Sequence, residues 1–134
     1  GEPIDVFNYG KHTRDFTYID DIVDGVIKAL DNPSSSNPNW NSDQPDPATS
    51  SVPWKIYNIG NSQPVQLMDY IKALEKVLDK KAKIKFLSLQ PGDVPDTYAN
   101  VDNLKEKFNY KPSTPVVKGV SNFVNWYKDF YKND

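Results

Sequence analysis

The chain has 134 residues and a mass of 15.3 kDa, with 37% hydrophobic and 25% charged residues, which is one domain's worth of sequence. With 16 basic against 18 acidic residues the net charge is −2 and the pI near 5.3, which argues against a nucleic-acid binder. Cysteine is absent and His12 is the single histidine, so disulfides, thiolate metal sites and a His-rich zinc site are excluded, and no metal site is expected.

Residues 4–7 (Ile-Asp-Val-Phe) alternate and read as a short strand, followed by a turn at Asn8-Tyr9-Gly10-Lys11. Ile19, Ile22, Val23, Val26, Ile27 and Leu30 recur at helical spacing. Thr17 or Asp20 is the expected cap of that helix, and Asp31-Asn32-Pro33 its end. Residues 32–53 hold five of the 11 prolines among Asn, Ser and Asp, and read as a long surface loop or a locally disordered stretch tacked down by Trp40. Trp54 to Gly60 reads as a buried strand. A helix is expected from about Gln66 to Asp79, with Leu67, Tyr70, Ile71, Leu74, Val77 and Leu78 facing inward. Lys83 to Leu89 alternates as a strand, Gln90-Pro91-Gly92-Asp93 is a turn, and Thr97-Tyr98-Ala99 a brief strand. A short helix over 101–108 is capped by Asn100, and Thr114-Pro115 opens a last helix that runs to about Tyr131. The order of strands and helices is that of an α/β chain with no internal repeat. No apolar run is long enough to cross a bilayer and no signal-peptide pattern opens the chain. It starts at Gly1-Glu2-Pro3 without Met, which reads as an excised piece.

Three constellations carry possible chemistry. Arg14 follows a Gly-bearing turn and precedes a helix, where its planar fork can grip an anion or bridge to Asp15, Asp20 or Asp93. Asp93, held by the Pro-Gly turn after Gln90, can accept from vicinal hydroxyls as acidic residues do for a ribose, or can bond its own backbone. Tyr57-Asn58-Ile59-Gly60-Asn61 is a strand running into a Gly turn, where open α/β sheets gather ligands and where ordinary strands also stop. The aromatics Tyr110, Phe123, Trp126, Tyr127, Phe130 and Tyr131 fall largely at helical spacing, so core packing is expected. The Lys80-Lys81-Ala82-Lys83 run reads as a solvated helix end, and His12 as exposed and inert beside Arg14.

Lys11 to Val23 (Lys-His-Thr-Arg-Asp-Phe-Thr-Tyr-Ile-Asp-Asp-Ile-Val), Tyr57 to Ser62, Leu89 to Val94 and Gly119 to Tyr127, in this order, resemble the C-terminal part of an extended short-chain dehydrogenase/reductase of Rossmann type. The likeness is to the NAD-dependent nucleotide-sugar epimerases and dehydratases, and within them to the UDP-glucuronate 4-epimerases, whose Pro/Ser loop is similar to residues 37–51. It covers residues 1–134 and implies an α/β fold of short mixed strands with about four helices. It also implies a C-terminal nucleotide-sugar-binding region whose N-terminal NAD-binding domain lies outside this chain; the strand and helix near residues 4–31 and the strand near residues 54–60 would belong with that domain, and without it would lack neighbours and expose apolar edges. The six glycines never approach the G-x-G-x-x-G spacing, and no tyrosine is followed by Lys four residues on, so no catalytic residue is expected here and NAD is expected to bind mainly outside the chain.

By the same resemblance the substrate is a UDP-sugar, UDP-glucuronate interconverting with UDP-galacturonate through a 4-keto intermediate. Arg14 would grip the diphosphate, Asp5-Val6-Phe7 would line the uracil and ribose, partly through backbone groups, and Gln90 and Asp93 would hold the far side. The family pattern more often has Arg at the position of Gln90, which places the phosphate charge on Arg14. A cytoplasmic enzyme of polysaccharide biosynthesis follows, a homodimer at full length, with no nucleic-acid or membrane partner. The alternatives are a UDP-sugar decarboxylase or 4,6-dehydratase of the same superfamily, or a stand-alone binding domain that uses loop 32–53.

Overall fold

Nine short runs of the computed structural model, which describes residues 1–131, take regular structure. They are β1 (Ile4–Val6), a 3-10 turn (Phe7–Gly10), β2 (Thr13–Arg14), α1 (Ile19–Asp31), β3 (Val65–Gln66), α2 (Leu67–Leu78), β4 (Ile84–Phe86), α3 (Asp102–Phe108) and α4 (Val116–Tyr131). The expected α/β order with four helices is what these residues form. β1 and β4 pair in parallel, Ile4 with Ile84 and Val6 with Phe86, while β2 and β3 pair antiparallel, Thr13 with Gln66. Two-residue β2 also bridges to Asp96, so the stretch after the Pro-Gly turn lies along Thr13.

The turn after β1 forms as read. Asn8, Tyr9 and Gly10 all have positive φ, and a Cβ at Gly10 would stand 2.7 Å from the Met68 sulfur. This reversal sends the chain from β1 into β2. The Pro91-Gly92 turn also forms: Gly92 has φ +81° and the Asp93 N–H donates to the Gln90 carbonyl, the pattern of a type II turn.

Two cores hold the helices together. Ala73 of α2 meets Val120 and Val124 of α4, with Tyr70, Leu74 and Val77 around them. Val101, Leu104 and Tyr110 form the second core under Tyr57, Ile59 and Phe108, and each of the three is at most 1% exposed. Burying a side chain the size of Leu104 contributes roughly 1.5–3 kcal/mol. The α2 helix closes with Asp79 in the left-handed region, and Glu75 accepts from both Lys81 Nζ and the Ala82 N–H. Those two bonds hold the Glu75 carboxyl below its ordinary range, and the lysine run is the solvated helix end that composition suggested.

Several expectations are corrected. Residues 54–60 are extended, with Lys55, Tyr57 and Ile59 turned inward, yet the only ladder contact there is the Thr49–Lys55 bridge. A strand needs a neighbour along its length, and among the described residues only Ala48 and Thr49 lie alongside, the Ile56 N–H donating to the Ala48 carbonyl; Trp54 and Ile56 are 44% and 50% exposed rather than buried. Thr97-Tyr98-Ala99 likewise forms no strand, and the pairing stops at Asp96. Neither Thr17 nor Asp20 caps α1. Its N-cap is Tyr18, with no side-chain bond, and Thr17 Oγ1 turns back to the Asp15 carbonyl. Leu78 is exposed, and small Ala73 takes a place on the inner face of α2. Asn100 Oδ1 does accept from the Asp102 N–H, 2.9 Å away, at the start of α3. Loop 32–53 has local order: Asn37 bonds Ser50 and Thr49, and Asp46 accepts from the Ala48 N–H and Thr49 Oγ1. Trp40 in it is half-buried.

The aromatic run of α4 is the largest correction. Only Gly119, Val120 and Val124 of that helix are buried, whereas Phe123, Trp126, Tyr127, Phe130 and Tyr131 are 42–63% exposed and touch one another. The small residues face α2, and the aromatic stripe beside them has no cover among the described residues. Tyr110 alone of the expected aromatics is fully buried.

Candidate functional site

The parallel pair β1–β4 positions the site. Leu87 N–H donates to the Val6 carbonyl and Tyr9 N–H to the Leu87 carbonyl, so the carboxyl ends of both strands are stitched together. From there one strand leads through Gly10 into Arg14 and the other through Gln90 into Asp93. The carboxyl end of parallel strands is where such sheets collect ligands.

Arg14 and Asp93 meet there, with Nη2 3.2 Å from Oδ1. Of the three acidic partners the sequence allowed, Asp93 is the one used. Nη1 donates to two backbone carbonyls, Thr13 at 3.0 Å and Pro95 at 2.8 Å. Three of the five guanidinium N–H donors are therefore taken, and Nε with one hydrogen of Nη2 has no partner among the described residues. Such an arginine is fixed in place by backbone and still has donors for an anion. Its side chain is 25% exposed.

The other expected residues are placed unequally. Val6 is buried at 3% exposure, and its carbonyl is already bonded to Leu87. Asp5 points outward on β1 beside its cross-strand neighbour Lys85, with 3.7 Å between the charges. Phe7 is half-buried at the start of the 3-10 turn. Gln90 is exposed, and its backbone carbonyl closes the turn that aims Asp93. Neither Asp5 nor Gln90 makes a side-chain bond to Arg14 or Asp93 among the described residues.

Three features were not legible beforehand. His12 is not exposed: it is 3% exposed, with Nε2 3.2 Å from Asp93 Oδ2. Its backbone lies against the start of α2, where the Leu67 N–H donates to the His12 carbonyl, beside the β2–β3 pair. Asp15, next to Arg14, gathers three loops. Its Oδ2 accepts from the N–H groups of Ser62 and Ala99, and its Oδ1 from that of Gln63. Tyr110 donates its hydroxyl to the Gly60 carbonyl at 3.2 Å. Burial first, and then the carboxylates of Asp21, Asp24 and Asp15, push its phenol up to about 12. The partners of Asp15 lie 47, 48 and 84 residues away in sequence, so no local pattern announced them.

Tyr57-Asn58-Ile59-Gly60-Asn61 thus serves this scaffold. A Cβ at Gly60 would stand 2.4 Å from the Ala99 Cβ and 2.8 Å from Asp15 Oδ2, so only glycine lets Asp15 close the knot. No group of three or more His, Cys, Asp or Glu suited to a metal occurs among the described residues. No helix among them is long and apolar enough to cross a membrane.

The fold is that of the extended short-chain dehydrogenase/reductases of Rossmann type, the class to which the matching solved structures belong. The chain superposes on the UDP-glucuronic acid 4-epimerase of Bacillus cereus in complex with UDP-glucuronic acid and NAD, with a TM-score of 0.75 and 28% identity over 97% of this chain and 36% of that one. It also shares its fold with the dTDP-glucose 4,6-dehydratase of Bacillus anthracis, with a TM-score of 0.73 at 16% identity over 98% of this chain and 36% of that one. The profile of the GDP-mannose 4,6-dehydratase family matches residues 2–123, and the chain belongs to that family of nucleotide-sugar epimerases and dehydratases. Protein CapI of Staphylococcus aureus is 48% identical over 98% of this chain and 39% of its own length. A probable UDP-glucuronate 4-epimerase of Rhizobium meliloti is 38% identical, again over 98% of this chain and 39% of its own. The chain thus spans about two fifths of the length of these relatives.

Proposed function

We propose that residues 1–134 are the C-terminal, nucleotide-sugar-holding region of an NAD-dependent UDP-sugar 4-epimerase that interconverts UDP-glucuronate and UDP-galacturonate through a 4-keto intermediate. The observation that carries this reading is Arg14, locked by two carbonyls and Asp93 at the carboxyl end of β1–β4 with donors to spare. The Rhizobium relative and the Bacillus cereus structure support the choice of sugar.

In this reading Arg14 holds the diphosphate as a fork, and Asp93 accepts from the ribose hydroxyls. Phe7 and the backbone of Asp5 and Val6 border the base, and Gln90 borders the far side without neutralising charge. Epimerisation at C4 needs a sugar that can present either face to the oxidant. Firm binding of the nucleotide leaves the sugar free to turn, which is why the recognition energy belongs on the diphosphate. When bound, NAD would supply the hydride exchange at C4. The residues present do not fit it: the glycines are widely separated and no Tyr-x-x-x-Lys pair occurs, so no chemical step is assigned to this chain. The cofactor and the catalytic pair belong to a preceding domain of a homodimeric cytoplasmic enzyme.

The test is an assay of the full-length protein with NAD, following UDP-glucuronate and UDP-galacturonate separately. Interconversion of the two is the expected result. Release of carbon dioxide or of a 4-keto-6-deoxy sugar would move the protein to the decarboxylase or dehydratase branch, and no turnover of any UDP-sugar would overturn the reading.

A further inference from the structure

His12 is the one buried side-chain polar atom site among the described residues whose nitrogen lacks a hydrogen bond. Its Nε2 lies 3.2 Å from Asp93 Oδ2 without making a hydrogen bond to it. The same carboxylate is drawn the other way, because Oδ1 is tied to Arg14 Nη2 at 3.2 Å. A buried ring nitrogen this near a carboxylate oxygen and still unbonded marks an arrangement one small rotation away from completion.

We propose that His12 is a positioning residue that receives Asp93 when a nucleotide diphosphate takes Arg14, and this rests on the nucleotide-site reading above. In the free protein Asp93 neutralises Arg14. An incoming diphosphate competes for the guanidinium and repels the carboxylate. Rotation toward His12 completes the missing bond on Oδ2 and frees Oδ1 to face a ribose hydroxyl. Asp93 follows the Pro91-Gly92 turn with its side chain 31% exposed, and it lies 3.2 Å from both His12 Nε2 and Arg14 Nη2, so His12 is the nearest group that can hold it once Arg14 is taken. Without that donor Asp93 stays on Arg14 as an internal competitor of the ligand.

The experiment is a double-mutant cycle on the full-length protein, reading the Kd of UDP by calorimetry. His12→Phe, which keeps bulk and removes the N–H, is expected to weaken UDP binding about tenfold. The same change in an Asp93→Asn background is expected to have little effect. His12→Gln, which restores a donor, is expected to recover most of the affinity, a rescue that a role in packing alone would not give. Equal losses in both backgrounds, or no loss from His12→Phe while Arg14→Ala weakens binding, would overturn the proposal and leave the nucleotide site standing. Unchanged UDP affinity in Arg14→Ala would instead overturn the nucleotide site and this proposal together.

Discussion

Arg14 is held by backbone carbonyls of two segments, Thr13 and Pro95, so its position depends on the main chain rather than on exposed ion pairing. Replacing it by Ala in the full-length protein is expected to cost on the order of 1.5–3 kcal/mol of UDP binding, measured by calorimetry, the range of a charge-assisted bond. Arg14→Lys restores charge without the fork, so it should recover only part of that loss. Tyr110 gives a second prediction at this scale. Its phenol is pushed from 10.0 up to about 12, so the folded state favours the neutral form. Its contribution is therefore intact below pH 10 and is lost as pH rises toward 12. Urea unfolding followed between those limits should show a falling midpoint in the wild type, and a flatter profile in Tyr110→Phe. At neutral pH that variant also loses its bond to Gly60, about 0.5–1.5 kcal/mol. Arg14 and Asp93 were legible as candidates because their residue types and turn context are local. The burial of His12 was not, because it is set by tertiary packing around β2 and not by local sequence.

Between elements, Asp15 does what no single helix or strand does. It joins the end of β2, the Asn61–Gln63 turn and Ala99 before α3 through three N–H bonds. Asp15→Asn leaves one side of the group a donor facing donors, and a loss of about 1.5–3 kcal/mol in unfolding free energy is expected by denaturant titration. Gly60→Ala should act on the same knot, by driving a methyl into Ala99 and Asp15, with a cost of about 1–3 kcal/mol. Asp21 works similarly across α1, accepting from the Ser113 and Thr114 N–H groups at the approach to α4. The helices themselves were readable from apolar spacing to within a residue or two at most ends. The stretch 54–60 was readable as extended from its own residues, whereas its lack of a full ladder was expected from the family resemblance alone, because pairing is a property of neighbours and not of the strand's own sequence.

At the scale of the whole molecule, apolar surface remains uncovered. Ile19, Val23, Val26, Ile27 and Leu30 of α1 are 45–75% exposed, although they form the helix's one apolar stripe. The α4 aromatics add a second face, and a cavity of about 400 Å³ lined by Tyr18, Ile19, Asn122, Phe123 and Trp126 lies where the two helices approach. Apolar faces of this extent drive association in water. Residues 1–134 alone are therefore expected to sediment as a species larger than 15.3 kDa, and Val26→Glu with Trp126→Glu to shift it toward the monomer. A strictly monomeric chain with uniform amide protection would contradict this. A larger apolar cavity, about 530 Å³ between Ile4, Leu74, Leu78 and the Lys80–Lys83 stretch, lies away from Arg14 and Asp93 and adds to the same uncovered area.

By itself the sequence determined the helix faces, the two glycine turns, the α/β order and the Arg-Asp-Phe and Gln-Pro-Gly-Asp segments that mark the family. All of these depend on spacing within a few residues, which periodicity and turn chemistry report directly. Only the tertiary structure decided which carboxylate meets Arg14, that His12 is buried behind it, that Asp15 and Tyr110 tie the loops, and that the aromatic stripe of α4 has no cover among the described residues. Those outcomes depend on residues some 50 to 90 positions apart being brought together by packing, and a one-dimensional pattern holds no record of which distant side chain arrives.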